Sequence, residues 1–121
     1  MKRIAMITLL VLSAWSLWAQ DTEKVKLSQT PGKFTETKLT LKAGQPYIFE
    51  VKNENVDHEV GFVLAPKGKT GQEHHIKAAY LTQAVNEGET ATSQVVTLEP
   101  GEYVYFCPLN PTPHYTLTVE K

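Results

Sequence analysis

The side chain best suited to chemistry in this chain is Cys107, the only cysteine among 121 residues. It ends the segment GEYVYFC and is followed by PLNPTPHY, in which prolines restrict the backbone. One thiol cannot form an internal disulfide, so Cys107 is a buried small side chain, an intermolecular link, a nucleophile or a metal ligand. Thiolate sulfur and imidazole nitrogen both bind transition-metal ions, and the chain contains four histidines, His58, His74, His75 and His114.

The first twenty residues have the composition of an export signal. Lys2 and Arg3 precede an apolar run over residues 4–12, and small or polar residues then lead to Ala19. The run is too short for a membrane span. We expect a signal peptide over residues 1–19 that is cleaved after Ala19, or one residue later, which places the protein in the periplasm or outside the cell. Neither Gln20 nor Asp21, the residues directly after the expected cleavage sites, is a cysteine, so no lipid anchor is expected.

Cleavage changes the composition of the remaining chain. Both methionines and both tryptophans lie in the first twenty residues, so the mature chain has no thioether ligand. Without Lys2 and Arg3, 10 of the 12 Lys and Arg remain against 13 Asp and Glu, a formal net charge of −3. This mildly acidic balance argues against nucleic acid as a partner. We expect residues 21–121 to form a single domain.

Residues 21–121 have the pattern of an all-β domain. Short alternating apolar runs are separated by turns rich in Gly and Pro. Seven or eight strands at this spacing predict a Greek-key sandwich or barrel. Around residues 66–80 the pattern predicts a short helix or loop excursion. The predicted strands cover residues 24–29, 37–41, 47–51, 58–66, 92–98, 102–107 and 115–121.

Two segments resemble motifs of the cupredoxin, or type 1 blue copper, family. Asn53 and His58 in VKNENVDHEVGF match the family pattern N-x-x-x-x-H, and the segment Gly101 to Cys107 matches G-x-Y-x-x-x-C. The resemblance implies a cupredoxin-like fold with copper as the cofactor. It implies His58 and Cys107 as metal ligands, and Asn53 as the residue whose hydrogen bonds tie the two ligand loops together.

The loop after Cys107 departs from the usual family pattern, C-P-x-H-P-x-M-x-G-x-L-x-V. Asn110 stands where the family has its second histidine, and Pro113 stands at the position of the axial methionine. Two tentative ligands remain: the amide of Asn110, and His114, which strand alternation aims outward. A site reduced to thiolate and one imidazole favours Cu(I), which is held by soft sulfur at low coordination. His74 and His75 are expected on a solvated face.

Three functions compete at this stage. The first is an exported copper protein that carries electrons or the metal between redox or copper-handling partners. The second is a metal-free cupredoxin-like module that binds a protein or ligand through the proline-rich loop. The third is a thiol enzyme with Cys107 as nucleophile and His58 as base. Because no third orienting group or oxyanion hole is recognisable, we expect that the protein is not an enzyme.

Overall fold

The computed structural model describes residues 21–121, so the expected signal peptide lies outside the described residues. Within this range the chain is all-β, as the strand pattern predicts. No helix of residues 21–121 is both long and apolar enough to cross a membrane. The strands are β1 Glu23–Thr30, β2 Lys33–Phe34, β3 Lys38–Lys42, β4 Tyr47–Asn53, β5 Val63–Pro66, β6 Thr90–Thr92, β7 Gly101–Phe106 and β8 Tyr115–Glu120.

The strands form two four-stranded sheets. The first sheet has the order β2-β1-β4-β6, and the second has the order β3-β8-β7-β5. β1 runs parallel to β4, and β3 runs parallel to β8, whereas the other pairs are antiparallel. The register of β1 and β4 places Gln29 opposite Asn53. The prediction of a β-sandwich is confirmed.

The core lies between the sheets and follows the period-two pattern of the strands. In β4, Tyr47, Phe49 and Val51 are buried, while the alternate residues are half-buried or exposed. Aromatic rings close the interior: the Phe62 ring centroid lies 5.1 Å from that of Phe49, and Phe34 meets Tyr105 edge-on at 5.3 Å. Such pairs contribute about 1 kcal/mol each beyond their burial. These rings belong to the same core cluster as Cys107.

Two predicted strands are shorter in the structure. The run over residues 58–66 becomes regular only at Val63, because the residues before it form the loop that Asn53 holds. The run over residues 92–98 pairs regularly only as far as Thr92. There the hydroxyl of Ser93 accepts the Phe49 N–H at 3.0 Å, in place of a backbone carbonyl. Side-chain acceptors of this kind interrupt a ladder that periodicity alone extends.

The excursion over residues 66–80 contains two single-turn 3₁₀ helices, at Gln72–His74 and Lys77–Ala79. This confirms the predicted short helix or loop. His75 is half-buried rather than solvated, because its Nδ1 lies 2.6 Å from the Tyr80 hydroxyl and its Nε2 lies 3.0 Å from the Thr70 carbonyl. Both ring nitrogens therefore serve to hold the excursion.

Candidate metal centre

Cys107 follows the last residue of β7 and is buried, with 1% of its surface exposed. Its Sγ accepts hydrogen bonds from two backbone N–H groups, those of Gly61 and Asn110, each at 3.2 Å. The N–H of Cys107 itself donates to Thr112 Oγ1 at 3.2 Å, which curls the following loop back over the thiol. Two N–H dipoles aimed at one sulfur suit an electron-rich thiolate, the form that binds a metal.

Asn53 is fully buried at the end of β4. Its Nδ2 donates to the carbonyls of His58 and Val85 at 2.9 and 3.1 Å, and its Oδ1 accepts the N–H of Val56 at 2.8 Å. The amide thus fixes the loop that carries His58. Among the described residues, the hydrogen bond that joins this loop to the thiol comes from Gly61 and not from Asn53.

His58 is exposed, while its backbone carbonyl is held by Asn53. Its Nδ1 lies 2.9 Å from the carbonyl of Glu59. Because a carbonyl only accepts, this contact assigns the proton to Nδ1 and the lone pair to Nε2. Nε2 is therefore the atom that can bind a metal without a change of tautomer. His58 lies three residues before Gly61, whose N–H contacts the thiol.

Asn110 is buried and its side chain is fully engaged. Oδ1 accepts the N–H of Gly32 at 2.7 Å, and Nδ2 donates to the Thr30 carbonyl at 2.9 Å and to Gln29 Oε1 at 3.1 Å. Gly32 has a φ of +75°, which lets the turn present its N–H to this amide. The role of Asn110 as a ligand stays a prediction, and the Gly32 bond already occupies one of the two acceptor positions of Oδ1.

His114 lies outside the core, as strand alternation predicts. Its ring stacks on Phe106 with a centroid distance of 4.2 Å and an interplanar angle of 21°. The next residue, Tyr115, turns inward, and its hydroxyl accepts the N–H of Phe34 at 3.3 Å. Metal binding by His114 stays a prediction that requires the ring to leave Phe106.

The donor atoms near Cys107 decide which metal ion the site can hold. Within residues 21–121, no three His, Cys, Asp or Glu side chains converge to hold a metal ion. The two candidate donors whose loops meet through Gly61 are the thiol of Cys107 and the imidazole of His58. A thiolate with one imidazole suits Cu(I) better than Cu(II), which prefers more nitrogen and oxygen ligands. The residues therefore fit a soft, low-coordinate copper ion.

Sequence comparison decides the family. The cupredoxin-like domain profile matches residues 3–119. The chain belongs to the cupredoxin-like family. No curated protein matches the chain by sequence similarity.

Solved cupredoxins share the fold of this cupredoxin-like chain. Auracyanin A, described as a "blue" copper protein from Chloroflexus aurantiacus, superposes with a TM-score of 0.66 and 19% identity, over 82% of this chain and 99% of auracyanin A. Auracyanin B gives a TM-score of 0.66 at 22% identity, over 84% and 90% of the two chains. Auracyanin from Roseiflexus castenholzii gives 0.64 at 16% identity, over 84% and 98%. At these identities the likeness is one of fold.

Three residues of this cupredoxin-like site were not predicted from the sequence: Gln29, Gly61 and Thr112. Gln29 is fully buried, and its Nε2 donates to the Gly61 carbonyl at 2.7 Å. A signal for it was present, because Gln29 follows Val25 and Leu27 at an inward position of β1, where an apolar residue is expected. Gly61 and Thr112 gave no such signal, since they act through an N–H and a short hydroxyl.

Tyr105 lies in the core two residues before Cys107 and remains a neutral phenol. Its hydroxyl donates to the backbone carbonyl of Glu36 at 2.8 Å. Burial raises the pKa of Tyr105 strongly, and the nearby Glu36 carboxylate and Tyr115 raise it further. The Tyr105 side chain therefore adds no charge to the core.

Proposed function

We propose that this protein is an exported copper-binding protein that transfers electrons or handles copper in the periplasm. Its ligands are Cys107 and His58, with Cu(I) favoured. One observation carries the proposal: the buried sulfur of Cys107 accepts two backbone N–H bonds at the position where the family places its thiolate. Membership of the cupredoxin-like family supports copper as the metal that this sulfur binds.

The chain's own residues account for most of the proposed chemistry. Cys107 supplies soft sulfur in a dry environment, while the exposed ring of His58 lies where a partner can approach. Asn53 keeps the His58 loop in place, and Gly61 joins that loop to the sulfur. Copper, when bound, supplies one-electron exchange between Cu(I) and Cu(II). The net charge of −3 on residues 21–121 favours encounter with a basic partner protein.

Metal titration tests the proposal. The full chain is expressed in a bacterium and isolated from the periplasm, and its intact mass reports cleavage after Ala19 or Gln20. The protein is then reduced anaerobically and titrated with Cu(I) and Cu(II), and bound metal is counted by native mass spectrometry. We expect one equivalent of Cu(I). We expect Cys107→Ser to abolish binding and His58→Ala to weaken it at least tenfold.

His74→Ala is the matched control, because His74 is an exposed histidine whose nearest charged partner, Glu73, lies 3.8 Å away on the excursion. It should bind Cu(I) like the parent. Absence of stoichiometric copper in the parent would overturn the proposal. Tight Cu(II) binding with an intense visible thiolate-to-copper band would overturn the preference for Cu(I).

A metal-free docking module is the second candidate, supported by the surface of the loop after Cys107. Leu109 is 49% exposed. Beside it, an open cavity of about 300 Å³ is lined by Pro108, Gly61, Tyr80 and Leu81, among others. Under this alternative, Leu109→Ser abolishes partner binding while Cys107→Ser leaves it unchanged. Under the copper proposal, Cys107→Ser is the damaging change.

A catalytic thiol is less well supported than either candidate. A nucleophilic cysteine needs access to substrate and a base within hydrogen-bond reach. Cys107 is buried, and its sulfur accepts backbone N–H groups. The Nδ1 of His58 is bonded to the Glu59 carbonyl. We therefore keep the expectation that the protein is not an enzyme.

A further inference from the structure

We propose that Gln29 is a positioning residue for the sulfur of Cys107. Its single buried amide holds both of the residues whose backbone N–H groups donate to that sulfur. The functional meaning of this role, control of copper binding, rests on the proposed copper site. The control of the thiol itself does not depend on copper.

The side chain of Gln29 bridges two loops. Nε2 donates to the Gly61 carbonyl at 2.7 Å, and Oε1 accepts Asn110 Nδ2 at 3.1 Å. The orientation of the amide follows from its partners, because the Gly61 carbonyl only accepts. Asn110 is oriented in the same way, because the N–H of Gly32 only donates to its Oδ1. One hydrogen bond, from Asn110 Nδ2 to Gln29 Oε1, thus joins the two amides, and both residues are buried away from water.

The two residues held by Gln29 are the same two that donate to the sulfur. The N–H groups of Gly61 and Asn110 each lie 3.2 Å from Cys107 Sγ. Gly61 is 46 residues from Cys107 along the chain, so the sequence does not hold them together. Gln29 closes this gap by bonding one residue of each loop. The Gln29 amide and the Asn110 side chain together therefore link the two residues whose N–H groups donate to the sulfur.

Gln29 is itself held in place by the pairing of β1 with β4. In the parallel pairing of β1 with β4, Gln29 lies opposite Asn53. Its carbonyl accepts the N–H of Glu54 at 2.9 Å, at the start of the loop that carries His58. The side chain is fully buried. Removal of its amide leaves the Gly61 carbonyl without this partner and leaves Asn110 with only its Thr30 and Gly32 bonds, so the link between the two loops is lost.

A shift of the loops changes the chemistry of the sulfur. N–H groups bonded to a metal-bound thiolate withdraw charge from it and are among the interactions that set its redox behaviour. Displacement of the two loops opens access to the buried sulfur, and it weakens the N–H bonds that stabilise the thiolate, the form that binds Cu(I). Gln29 thus acts on the metal ligand through Gly61 and Asn110, without touching the ligand itself.

Two variants and one control test this role. Gln29→Met keeps the shape of the side chain and removes both hydrogen bonds. Gln29→Glu accepts from Asn110 at every pH, but donates to the Gly61 carbonyl only when its acid group is neutral. Ser93→Ala is the control, because it removes a buried polar group that bonds Phe49, outside the Cys107 network. Each variant is first matched to the parent by its circular dichroism.

The measurements are made on the metal-free protein. The backbone N–H resonances of Gly61 and Asn110 are followed by NMR, and the alkylation rate of Cys107, the only cysteine, is followed by mass spectrometry. We expect Gln29→Met to move both resonances and to raise the alkylation rate at least tenfold. Gln29→Glu should behave like Gln29→Met at pH 8 and like the parent at pH 5, because burial favours the neutral acid. Ser93→Ala should match the parent.

The outcomes separate this proposal from the copper proposal. Parent-like resonances and alkylation in Gln29→Met would overturn the role of Gln29, as would equal changes in Ser93→Ala. If Gln29→Met does not fold, the pH dependence of Gln29→Glu, compared with the parent at each pH, decides the question. A Cu(I) affinity lowered at least tenfold in Gln29→Met extends the role to the metal. A parent without copper affinity, but with the changes expected at the thiol, supports Gln29 and overturns the copper site.

Discussion

The backbone nitrogen of Gly61 lies 3.2 Å from the sulfur of Cys107. The loop that carries His58 and the loop that follows β7 therefore meet at the thiol. In the proposed copper site the candidate ligands His58 and Cys107 come from separate loops, and this contact joins those loops. The residues that hold these loops in place, Asn53 and Gln29, are therefore the most informative positions for mutation.

Asn53→Ala should lower the free energy of unfolding by about 3 kcal/mol. The change leaves the His58 and Val85 carbonyls and the Val56 N–H without the partner they have in the parent, and each unsatisfied buried group costs roughly 1–3 kcal/mol. Urea unfolding measures the loss. The control is Asn55→Ala, two residues away at an exposed position, which should change stability by less than about 0.5 kcal/mol. Equal losses in the two variants would contradict the role of Asn53.

His114→Ala should leave Cu(I) affinity within about threefold of the parent. The ring of His114 stacks on Phe106 and faces away from the core, so binding does not draw on it. Competition with a chromophoric Cu(I) chelator measures the affinity. A tenfold loss would show instead that His114 is a ligand and that the loop rearranges around the metal. Phe106→Leu removes the stacking partner of His114 but no donor atom. A loss of Cu(I) affinity that His114→Ala shows and Phe106→Leu does not is therefore due to the missing imidazole.

Stability should decrease in alkaline solution because of Tyr105. Its raised pKa means that the folded protein keeps the phenol proton where the unfolded chain has released it. The contribution of Tyr105 is therefore fully present below pH 10 and decreases above it, by about 1.4 kcal/mol per pH unit. Urea unfolding between pH 9 and 11 measures the slope. Tyr105→Phe should flatten it, and an unchanged slope in this variant would assign the effect to other groups.

Tyr80→Phe should destabilise the excursion over residues 66–80 more than the rest of the fold. The phenol donates to His75 Nδ1 at 2.6 Å, and His75 Nε2 donates to the Thr70 carbonyl at 3.0 Å. Loss of this donor should cost about 1 kcal/mol and speed amide exchange of the Ile76 N–H, which bonds the Leu64 carbonyl. Hydrogen exchange read by NMR tests this.

The control for the excursion is Tyr103→Phe, because the Tyr103 hydroxyl donates to the backbone carbonyl of Glu99, outside the excursion. It should leave exchange at Ile76 unchanged. If the two variants accelerate exchange equally, the His75–Tyr80 pair does not hold the excursion.

The fold was accessible from sequence because its signals are local. Alternation within β4 predicts which side chains are buried, and turn glycines such as Gly32 and Gly44 have the positive φ that a turn requires. The two regions predicted with the wrong limits lie where side chains replace backbone partners. Asn53 holds the loop before Val63, and Ser93 interrupts the run after Thr92. A periodic pattern contains no information about such bonds.

The candidate site likewise has a part that the sequence predicts and a part that only the tertiary structure shows. The resemblance of two short motifs, which contain Asn53, His58 and Cys107, to those of the cupredoxin family named the candidate thiol and imidazole ligands without a structure. Tertiary structure alone decided that Gln29 joins Gly61 to Asn110, across 32 and 81 residues of chain. Hydrogen bonds at that separation exist only after the strands have paired. For this reason the support of the sulfur had to be observed, whereas the sulfur itself could be predicted.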